Sequence, residues 1–446
     1  MLATTCEKIA AKINCIVLLS CPVIGSRSVI MDESKTGLTQ AQLDAYWMPF
    51  TGNRQFKSDP RMITSADGCY YTDGDGRKIF DGLSGLWTCG FGHNIKAINQ
   101  AIAKQSETLD FSPTFQFGHK GAFELAERIT QFMPAGIDRV FFCGSGSEAA
   151  DTALKIARGY WRAKGQASKT RLIGRAKGYH GVNFGGISVG GIGGNRASFG
   201  EGIASDHLRH TWLAENAFTP GVPDKGAERA DDLLDLIALH DASNIAAVIV
   251  EPLAGSAGVF PPPVGYLKRL REICDQHDIL LIFDEVITAF GRMGANTGSE
   301  AFGVTPDIIN VAKQLTNGAM PMGAVVVKRA IYDCFMDTKA PEYALEVPHG
   351  YTYSAHPLAC AAGLAALKIL EDESMIERVQ AIAPVFEKSI HELGNAPRVV
   401  DIRNYGLAGG LTLAPYEGEP LRRPFEVAMS MWKKGFYVRY GGDTIQ

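Results

Sequence analysis

Short, continuous apolar runs recur through the middle of the chain, and segments with helical spacing of apolar positions separate them. The runs are four to five residues long and are bounded by glycine, proline or charged residues: 140–143, 246–250, 279–283 and 324–327. Uniform apolarity over this length is typical of strands buried on both faces. Because helical segments lie between the runs, the pattern predicts an α/β fold with a large, mostly parallel sheet.

The two ends of the chain have a different pattern and predict a smaller α+β domain. Residues 359–371 are rich in alanine, with leucines at helical spacing, and predict a helix, whereas residues 436–440 predict a strand. A chain of 446 residues is also long for one hydrophobic core, which usually stops growing at roughly 250–300 residues. We therefore expect a large domain over residues 121–348 and a second domain built from residues 31–120 and 349–446.

The first thirty residues form an extension with two interpretations. Lys8 and Lys12 precede an apolar stretch over residues 13–24, which resembles a short signal sequence. The stretch is too short to span a bilayer. Alternatively, translation starts at Met31, which opens a polar segment.

The composition of the chain does not favour nucleic acid, an anionic membrane or a metal ion as a partner. The net charge of −4 gives no indication of nucleic acid or an anionic membrane. The ten histidines and nine cysteines show no zinc-type spacing and no CxxC pair. We therefore expect a cytoplasmic protein that has reduced thiols and no metal site.

In parallel α/β sheets, ligands bind beyond the carboxyl ends of the strands, so the polar residues that follow the apolar runs are candidates. The sequence Gly-Ser-Gly-Ser-Glu-Ala follows the first run at residues 144–149. Its small residues and the free amides of a following helix favour a phosphate, and Ser145 and Ser147 add hydroxyl groups. The string also fits a dinucleotide fingerprint, but residues 160–178 contain no acid to hold a ribose. A monophosphate site is therefore favoured.

Two carboxylates occupy equivalent positions at predicted strand ends. Asp284 directly follows the third run, and a buried carboxylate is costly unless it is paired. It either caps the next helix or pairs with a protonated pyridine nitrogen. Glu251 follows the run 246–250 and is expected to support the same site.

Lys313 also follows an apolar segment. A lysine in a dry site has a lowered pKa, which frees its amine to form an imine with an aldehyde. Together, a phosphate site, an acid for a ring nitrogen and an imine-forming amine are what pyridoxal 5'-phosphate needs. Tyr179 is then a candidate to stack on the pyridine ring, with Val286 on the other face.

Longer motifs now point to a family. The segments Leu-Asp-Ala-Tyr-Trp-Met-Pro-Phe-Thr at residues 43–51 and Asp-Glu-Val-Ile-Thr-Ala-Phe-Gly-Arg at residues 284–292 resemble motifs of class III (omega) aminotransferases. The resemblance is strongest to the subgroup acting on omega-amino acids such as β-alanine and on pyruvate, and it runs from about Leu43 to the last residue. It implies the fold-type I architecture of pyridoxal-phosphate-dependent transferases.

The resemblance also implies roles for individual residues. Gly146 and Ser147 would bind the phosphate, and Tyr179 would stack on the ring. Asp284 would hold the ring nitrogen, and Lys313 would form the internal aldimine.

Other implied roles concern the substrate and a second subunit. Trp87 would line the amine pocket, and Arg439 would bind the substrate carboxylate, with Gln446 nearby. Thr352 would reach the phosphate of a neighbouring subunit, so the active sites would be shared in a homodimer or homotetramer. Family members usually continue past the position of Gln446 through a final helix. We therefore expect a truncated chain, and the lost burial, at about 25 cal/mol per Å², would cost several kcal/mol.

The implied reaction is a ping-pong aldimine mechanism. An omega-amino acid or amine gives its amino group to the cofactor and leaves as an oxo acid or aldehyde, and pyruvate then accepts the group and leaves as alanine. A semialdehyde aminomutase, an ornithine-type transaminase and an inactive truncated protein remain alternatives. A dinucleotide oxidoreductase is disfavoured by the missing acid.

Overall fold

A computed structural model describes residues 37–200, 202–337 and 340–446. The extension predicted for residues 1–30 lies outside these ranges. The described strands, labelled β1 to β15 in chain order, are Ile63–Asp67, Tyr70–Asp73, Lys78–Asp81, Ile137–Cys143, Arg171–Arg175, Ser205–Leu208, Ile245–Val250, Leu280–Asp284, Ile308–Val311, Gly323–Lys328, Val399–Tyr405, Ala408–Leu413, Phe436–Tyr437, Tyr440–Gly441 and Thr444–Ile445.

The described α-helices are labelled α1 to α15. They are Gln40–Ala45, Asn53–Ser58, Ser84–Trp87, Lys96–Thr108, Lys120–Thr130, Gly146–Ala163, Phe184–Val189, Gly193–Ala197, Asp232–His240, Tyr266–Gln276, Gly298–Phe302, Arg329–Met336, Pro357–Asp372, Met375–His391 and Arg422–Lys433. None of these helices is both long and apolar enough to cross a membrane.

A seven-stranded sheet forms the centre of the fold, with the strand order β4-β10-β9-β8-β7-β5-β6. Strand β10 is antiparallel to both of its neighbours, and the other pairings are parallel. The predicted α/β class with a mostly parallel sheet is therefore confirmed. The carboxyl ends of β4, β5, β7, β8 and β9 lie at one edge, together with the amino end of β10.

The predicted runs form the core of this sheet. Runs 140–143, 246–250 and 324–327 lie within β4, β7 and β10, whereas run 279–283 is displaced by one residue in β8. Every residue of β7 and β8 is buried, because hydrophobic clusters cover both faces of the sheet. The burial includes Asp284, the last residue of β8, which therefore has to find polar partners inside the protein.

Helix α6 begins directly after β4 and is capped at its first turn. The Ser145 hydroxyl accepts a hydrogen bond from the Glu148 amide (3.2 Å), and the Glu148 carboxylate accepts one from the Gly144 amide (2.6 Å). These bonds satisfy two amides and fix the turn that precedes the helix. Alanines at positions 149, 153 and 157 then pack the helix onto the sheet.

Two smaller sheets complete the fold. One has the order β1-β2-β3-β13 and joins residues 63–81 to residues 436–437, and the other has the order β11-β12-β15-β14. The two ends of the described chain therefore share a sheet, although the predicted domain boundaries stay a prediction. The continuous strand predicted for residues 436–440 is wrong. The chain changes sheets at Arg439, whose backbone pairs with that of Gln446 (2.8 and 3.2 Å).

Candidate active site

A cavity of about 330 Å³ opens at the edge of the main sheet where the parallel strands end. Its volume is at the lower end of the range for small-molecule sites. Eight of the residues proposed from the sequence line this cavity: Ser145, Gly146, Ser147, Tyr179, Glu251, Asp284, Val286 and Lys313. Trp87, Thr352, Arg439 and Gln446 are not among the lining residues.

Lys313 lies two residues beyond β9, at the start of a short 3-10 helix, Lys313–Thr316. Its backbone has φ = 46°, a left-handed conformation that costs a lysine free energy and persists only where the surroundings impose it. Burial lowers the pKa of its amine, while the nearby carboxylates of Asp284 and Glu251 oppose that change. Burial therefore makes the neutral, nucleophilic form of this amine more accessible than that of an exposed lysine.

Asp284 is 5% exposed and pairs with a histidine. Its Oδ2 lies 2.8 Å from Nδ1 of the buried His180, and its Oδ1 accepts a hydrogen bond from the Val286 amide at 3.2 Å. The histidine can donate a hydrogen bond to Oδ2, which holds the carboxylate in one orientation. Sequence reasoning missed this role of His180, and its position directly after Tyr179 was the available signal.

The helix-capping role that the sequence left open for Asp284 is filled by the neighbouring Glu285. The Glu285 carboxylate accepts hydrogen bonds from the Thr288 hydroxyl (2.9 Å), the Ser299 amide (2.8 Å) and the Gly298 amide, at the start of α11. Burial raises the pKa of Glu285 to about 7, although these donors oppose the rise. Within the described ranges, Asp284 makes no such contact with a helix terminus, so it stays available to the cavity.

The segment from Gly144 to Ser147 forms a small concave surface at the start of α6. A side chain at Gly146 would place its Cβ 3.0 Å from a methyl group of Val286, so glycine keeps this surface open. The Ser147 hydroxyl accepts a hydrogen bond from the Val182 amide (3.2 Å), which fixes its position. The N-terminus of an 18-residue helix attracts a phosphate through its free amides and its dipole.

Glu251 supports the cavity wall through backbone contacts. It is 4% exposed, and burial raises the pKa of its carboxyl group. Its two oxygens accept hydrogen bonds from the amides of Tyr179 (3.0 Å) and Gly255 (3.1 Å). The acid therefore orients the Tyr179 loop.

Arg439 and Gln446 hold each other beside the cavity. An Arg439 Nη1 group donates to the Ser256 carbonyl (3.0 Å) and to Oε1 of Gln446, and Gln446 Nε2 donates to the Gly255 carbonyl (2.9 Å). Burial raises the pKa of Tyr179, and the Arg439 guanidinium opposes the rise, which places the two within electrostatic range. Arg439 thus lies near the cavity but does not line it.

Trp87 lies behind the cavity wall. It is 5% exposed and packs in an apolar cluster with Ile287, which does line the cavity, as does Thr88. Its backbone has φ = 66°, and its indole nitrogen is buried without a hydrogen-bond partner among the described residues. The Arg292 guanidinium lies 5.6 Å from the centre of the indole ring.

The remaining lining residues were not proposed individually as site residues from the sequence. They come from loops that a strand-end search does not reach, or are small neighbours of predicted residues: Thr88, Gly144, His180, Gly181, Ile287, Ala312, Thr316, Gly318, Met320, Pro321 and Met322. Residues 320–322 precede β10, and only its antiparallel direction brings them to this edge. Thr352 is exposed and outside the cavity of its own chain.

The residues present fit pyridoxal phosphate. The cavity combines an amine with a lowered pKa, a buried and oriented carboxylate, an aromatic side chain and a phosphate-sized concave surface at a helix N-terminus. Among the described residues no group of acids, histidines and cysteines has the arrangement of a metal site. Imine chemistry on an aldehyde cofactor is therefore what this arrangement supports.

Residues 52–445 match the family model of class III aminotransferases, and the chain belongs to this family. The chain is 61% identical to the β-alanine–pyruvate aminotransferase of Pseudomonas aeruginosa, over 92% of this chain and 91% of that protein. It is 60% identical, with the same coverage, to the omega-amino acid–pyruvate aminotransferase of Pseudomonas putida. Among solved structures, an amine transaminase from an uncultivated Pseudomonas species, in its PLP-bound internal aldimine form, is 38% identical. It superposes with a TM-score of 0.79 over 90% of this chain and 92% of that one.

Proposed function

We propose that this protein transfers an amino group from an omega-amino acid, such as β-alanine, or from an amine to pyruvate, with pyridoxal 5'-phosphate as cofactor. The products are alanine and an oxo acid or aldehyde. The observation that carries the proposal is the placement of Lys313, Asp284 and the Gly144–Ser147 segment around one cavity, in a chain 60–61% identical to aminotransferases of this specificity.

Pyridoxal phosphate supplies an aldehyde that condenses with amines and a cationic ring that takes up an electron pair from the adjacent carbon. Lys313 is the residue that moves the proton. Its neutral Nζ takes a proton from the amine-bearing carbon of the donor and later returns one to the carbon of the acceptor. Burial favours the neutral form that the first of these steps needs.

Asp284 keeps the ring nitrogen protonated. A carboxylate buried beside it stabilises the positive charge far more strongly than water would. The 2.8 Å contact with His180 prevents the carboxylate from turning away. Ser145, Gly146 and Ser147 would hold the phosphate, and Tyr179 and Val286 would flank the ring.

On the substrate side, Arg439 binds the carboxylate of the amino acid or of pyruvate. Its present partners are neutral acceptors, the Ser256 carbonyl and the Gln446 amide oxygen. A carboxylate forms stronger, charge-assisted bonds to a guanidinium than neutral oxygens do. Trp87 borders the space for the rest of the donor.

We also propose a homodimer, or a tetramer of two such dimers, in which Thr352 contacts the phosphate in the partner's cavity. Exposed aromatic side chains occur next to Thr352 and in the segment 111–123, which contacts residues 353–355: Tyr353 is 64% exposed, Phe117 69% and Phe123 70%. Phe111 ties their two segments together, since its ring lies 5.9 Å from that of Tyr353. An apolar patch of this kind marks an interaction surface.

The interface has a direct test. Phe123→Lys is expected to shift the protein from dimer to monomer in analytical ultracentrifugation and to lower its cofactor content, because a charge would be buried in the interface. Leu239, which is 72% exposed on α9, supplies the control variant Leu239→Lys. A dimer that persists in Phe123→Lys would argue against this surface.

A cytoplasmic location is the remaining part of the proposal. All six cysteines in the described part of the chain are free, including the exposed Cys69. Free thiols suit a reducing compartment.

Steady-state kinetics with β-alanine and pyruvate test the reaction. We expect alanine to form only when both substrates are present, with the parallel double-reciprocal lines of a ping-pong mechanism. Conversion of an amino donor into an isomer without pyruvate would instead identify an aminomutase. Absence of any product from a cofactor-loaded protein would reject the proposed function.

A further inference from the structure

The positive charge of the Arg292 side chain has few polar partners among the described residues. Arg292 lies in the turn that follows β8, and it is half-buried. Its polar contact among the described residues is a long hydrogen bond to the Ser84 hydroxyl, 3.5 Å, and its guanidinium otherwise faces the Trp87 ring at 5.6 Å. No carboxylate of the described chain lies within 4.0 Å of it.

The acid in its surroundings is already engaged. Asp81 accepts hydrogen bonds from the amides of Leu83 (3.1 Å) and Gly85 (2.5 Å) and pairs with His93 at 2.7 Å. These contacts fix the Asp81 carboxylate on its own turn. Burial accordingly lowers the pKa of Arg292 to about 10, and the charge of Asp81 offsets this only in part. An incoming carboxylate would therefore meet a guanidinium that pairs with no acid of the described chain.

The location of Arg292 links it to the reaction. Ile287, on the same turn, and Thr88, next to Trp87, both line the cavity. The guanidinium is also among the charges that depress the pKa of Lys313, after burial and together with Arg439. Arg292 therefore lies within electrostatic range of the amine that we propose to react.

The segment that covers Arg292 is held in a strained conformation. Ser84 and Trp87 have φ values of 51° and 66°, in the left-handed region that non-glycine residues rarely adopt. The Trp87 indole nitrogen has no hydrogen-bond partner among the residues that the structure describes. The indole is therefore held by apolar packing and by its contact with the Arg292 guanidinium, not by a hydrogen bond.

We propose that Arg292 is a second recognition group for the carboxylate of the amino donor, which displaces the Trp87 indole from the guanidinium. A carboxylate forms two parallel hydrogen bonds with a guanidinium, whereas an aromatic ring offers only its quadrupole. This inference rests on the proposed function. It makes Arg292, in addition to Arg439, a determinant of the preference for amino acids over simple amines.

Binding of propionate to the cofactor-loaded protein tests the inference without catalysis, because propionate has the carboxylate of β-alanine but no amine. Isothermal titration is expected to give a Kd at least about tenfold weaker in Arg292→Gln than in the wild type, the loss of one charge-assisted contact. Arg292→Lys, which keeps the charge but not the planar fork, is expected to fall between them. Arg378→Gln, on the exposed surface of α14, is the control and should match the wild type.

Equal propionate affinity in Arg292→Gln and the wild type would overturn the inference, as would a loss confined to Arg439→Gln. The melting temperature of each cofactor-loaded variant separates lost binding from misfolding, and Arg292→Lys carries the test if Arg292→Gln is unstable.

Donor kinetics add a second readout. Arg292→Gln should raise the KM for β-alanine about tenfold and leave that for propylamine, which has no carboxylate, unchanged. An equal change for both amines would indicate a merely structural role and would overturn the inference. If the wild type reacts with neither amine, the proposed function fails, while the propionate titration still decides the role of Arg292.

Discussion

The cofactor side and the substrate side of the cavity differ in what holds their residues in place. On the cofactor side, Asp284 ends one buried strand and Lys313 follows the strand next to it, and Gly146 opens a helix that packs on the same sheet. On the substrate side, Arg439 and Gln446 come from the last residues of the chain, and they are held by each other and by backbone carbonyls.

The difference separates rigid from exchangeable interactions. A residue fixed by the backbone of a buried sheet has the same position in every substrate complex, which suits the chemistry common to all donors. A side chain held by neutral hydrogen bonds can exchange them for a ligand at small cost, which suits a pocket that accepts both an acid and an amine. Changes on the cofactor side should therefore affect every substrate, and changes on the substrate side only some.

The largest effect is expected for Lys313→Ala. Without the amine that moves the proton, the rate of amino transfer should fall by at least about 10³-fold for all donors. Stopped-flow absorbance of the bound cofactor after addition of β-alanine measures this rate. Lys164→Ala, at the exposed end of α6, is the control. A rate of amino transfer in Lys313→Ala within tenfold of the wild-type rate would contradict the role given to the cofactor side.

Asp284→Asn is expected to lower turnover on the order of 10²–10³-fold for β-alanine and propylamine alike, since the ring nitrogen loses its ionic partner. Asp307→Asn provides the contrast. Asp307 is also buried but bridges Arg271 and Lys328 (both 2.7 Å) away from the cavity. Its change should cost roughly 3 kcal/mol of stability in urea unfolding and leave turnover intact. Wild-type turnover in Asp284→Asn, together with a loss of turnover in Asp307→Asn, would contradict this account of the site.

Gly146→Ala is expected to weaken cofactor binding about tenfold, because its Cβ would press on Val286 at 3.0 Å and narrow the phosphate site. Titration of the apoprotein with pyridoxal phosphate measures the Kd. Gly193→Ala is the matched control, since a Cβ there meets nothing within 4 Å. Equal affinity in the two variants would show that the phosphate does not approach Gly146.

The smallest effect is expected for Gln446→Ala, which frees Arg439 from one neutral partner. The KM values for β-alanine and pyruvate should change by about two- to tenfold, the range of a single hydrogen bond, while the KM for propylamine stays constant. Steady-state assays with the three substrates reveal this pattern. A uniform change in kcat for all of them would place Gln446 with the cofactor side instead.

The cofactor side was the more predictable from the sequence, for a physical reason. Asp284, Lys313 and the 144–149 segment each directly follow an apolar run, and the parallel-sheet rule then places them at one edge. The position of residues 320–322 at this edge could not be predicted in the same way. An antiparallel strand cannot be distinguished from a parallel one by apolarity alone.

The substrate side depends on tertiary contacts between distant segments. The pairing of Gln446 with the Gly255 and Ser256 carbonyls joins residues about 190 positions apart, and no local pattern encodes it. The break of the predicted strand 436–440 at Arg439 has the same origin. Trp87 and Arg439 were proposed through family resemblance alone, and their roles stay proposals.

A single-turnover experiment tests the central claim most directly. The cofactor-loaded protein is incubated with β-alanine carrying isotopically labelled nitrogen, freed of unbound donor by gel filtration, and then mixed with pyruvate. The account predicts labelled alanine in an amount equal to the cavities that contain Lys313, and none from Lys313→Ala. Labelled alanine that appears only when donor and pyruvate are present together, or not at all, would contradict it.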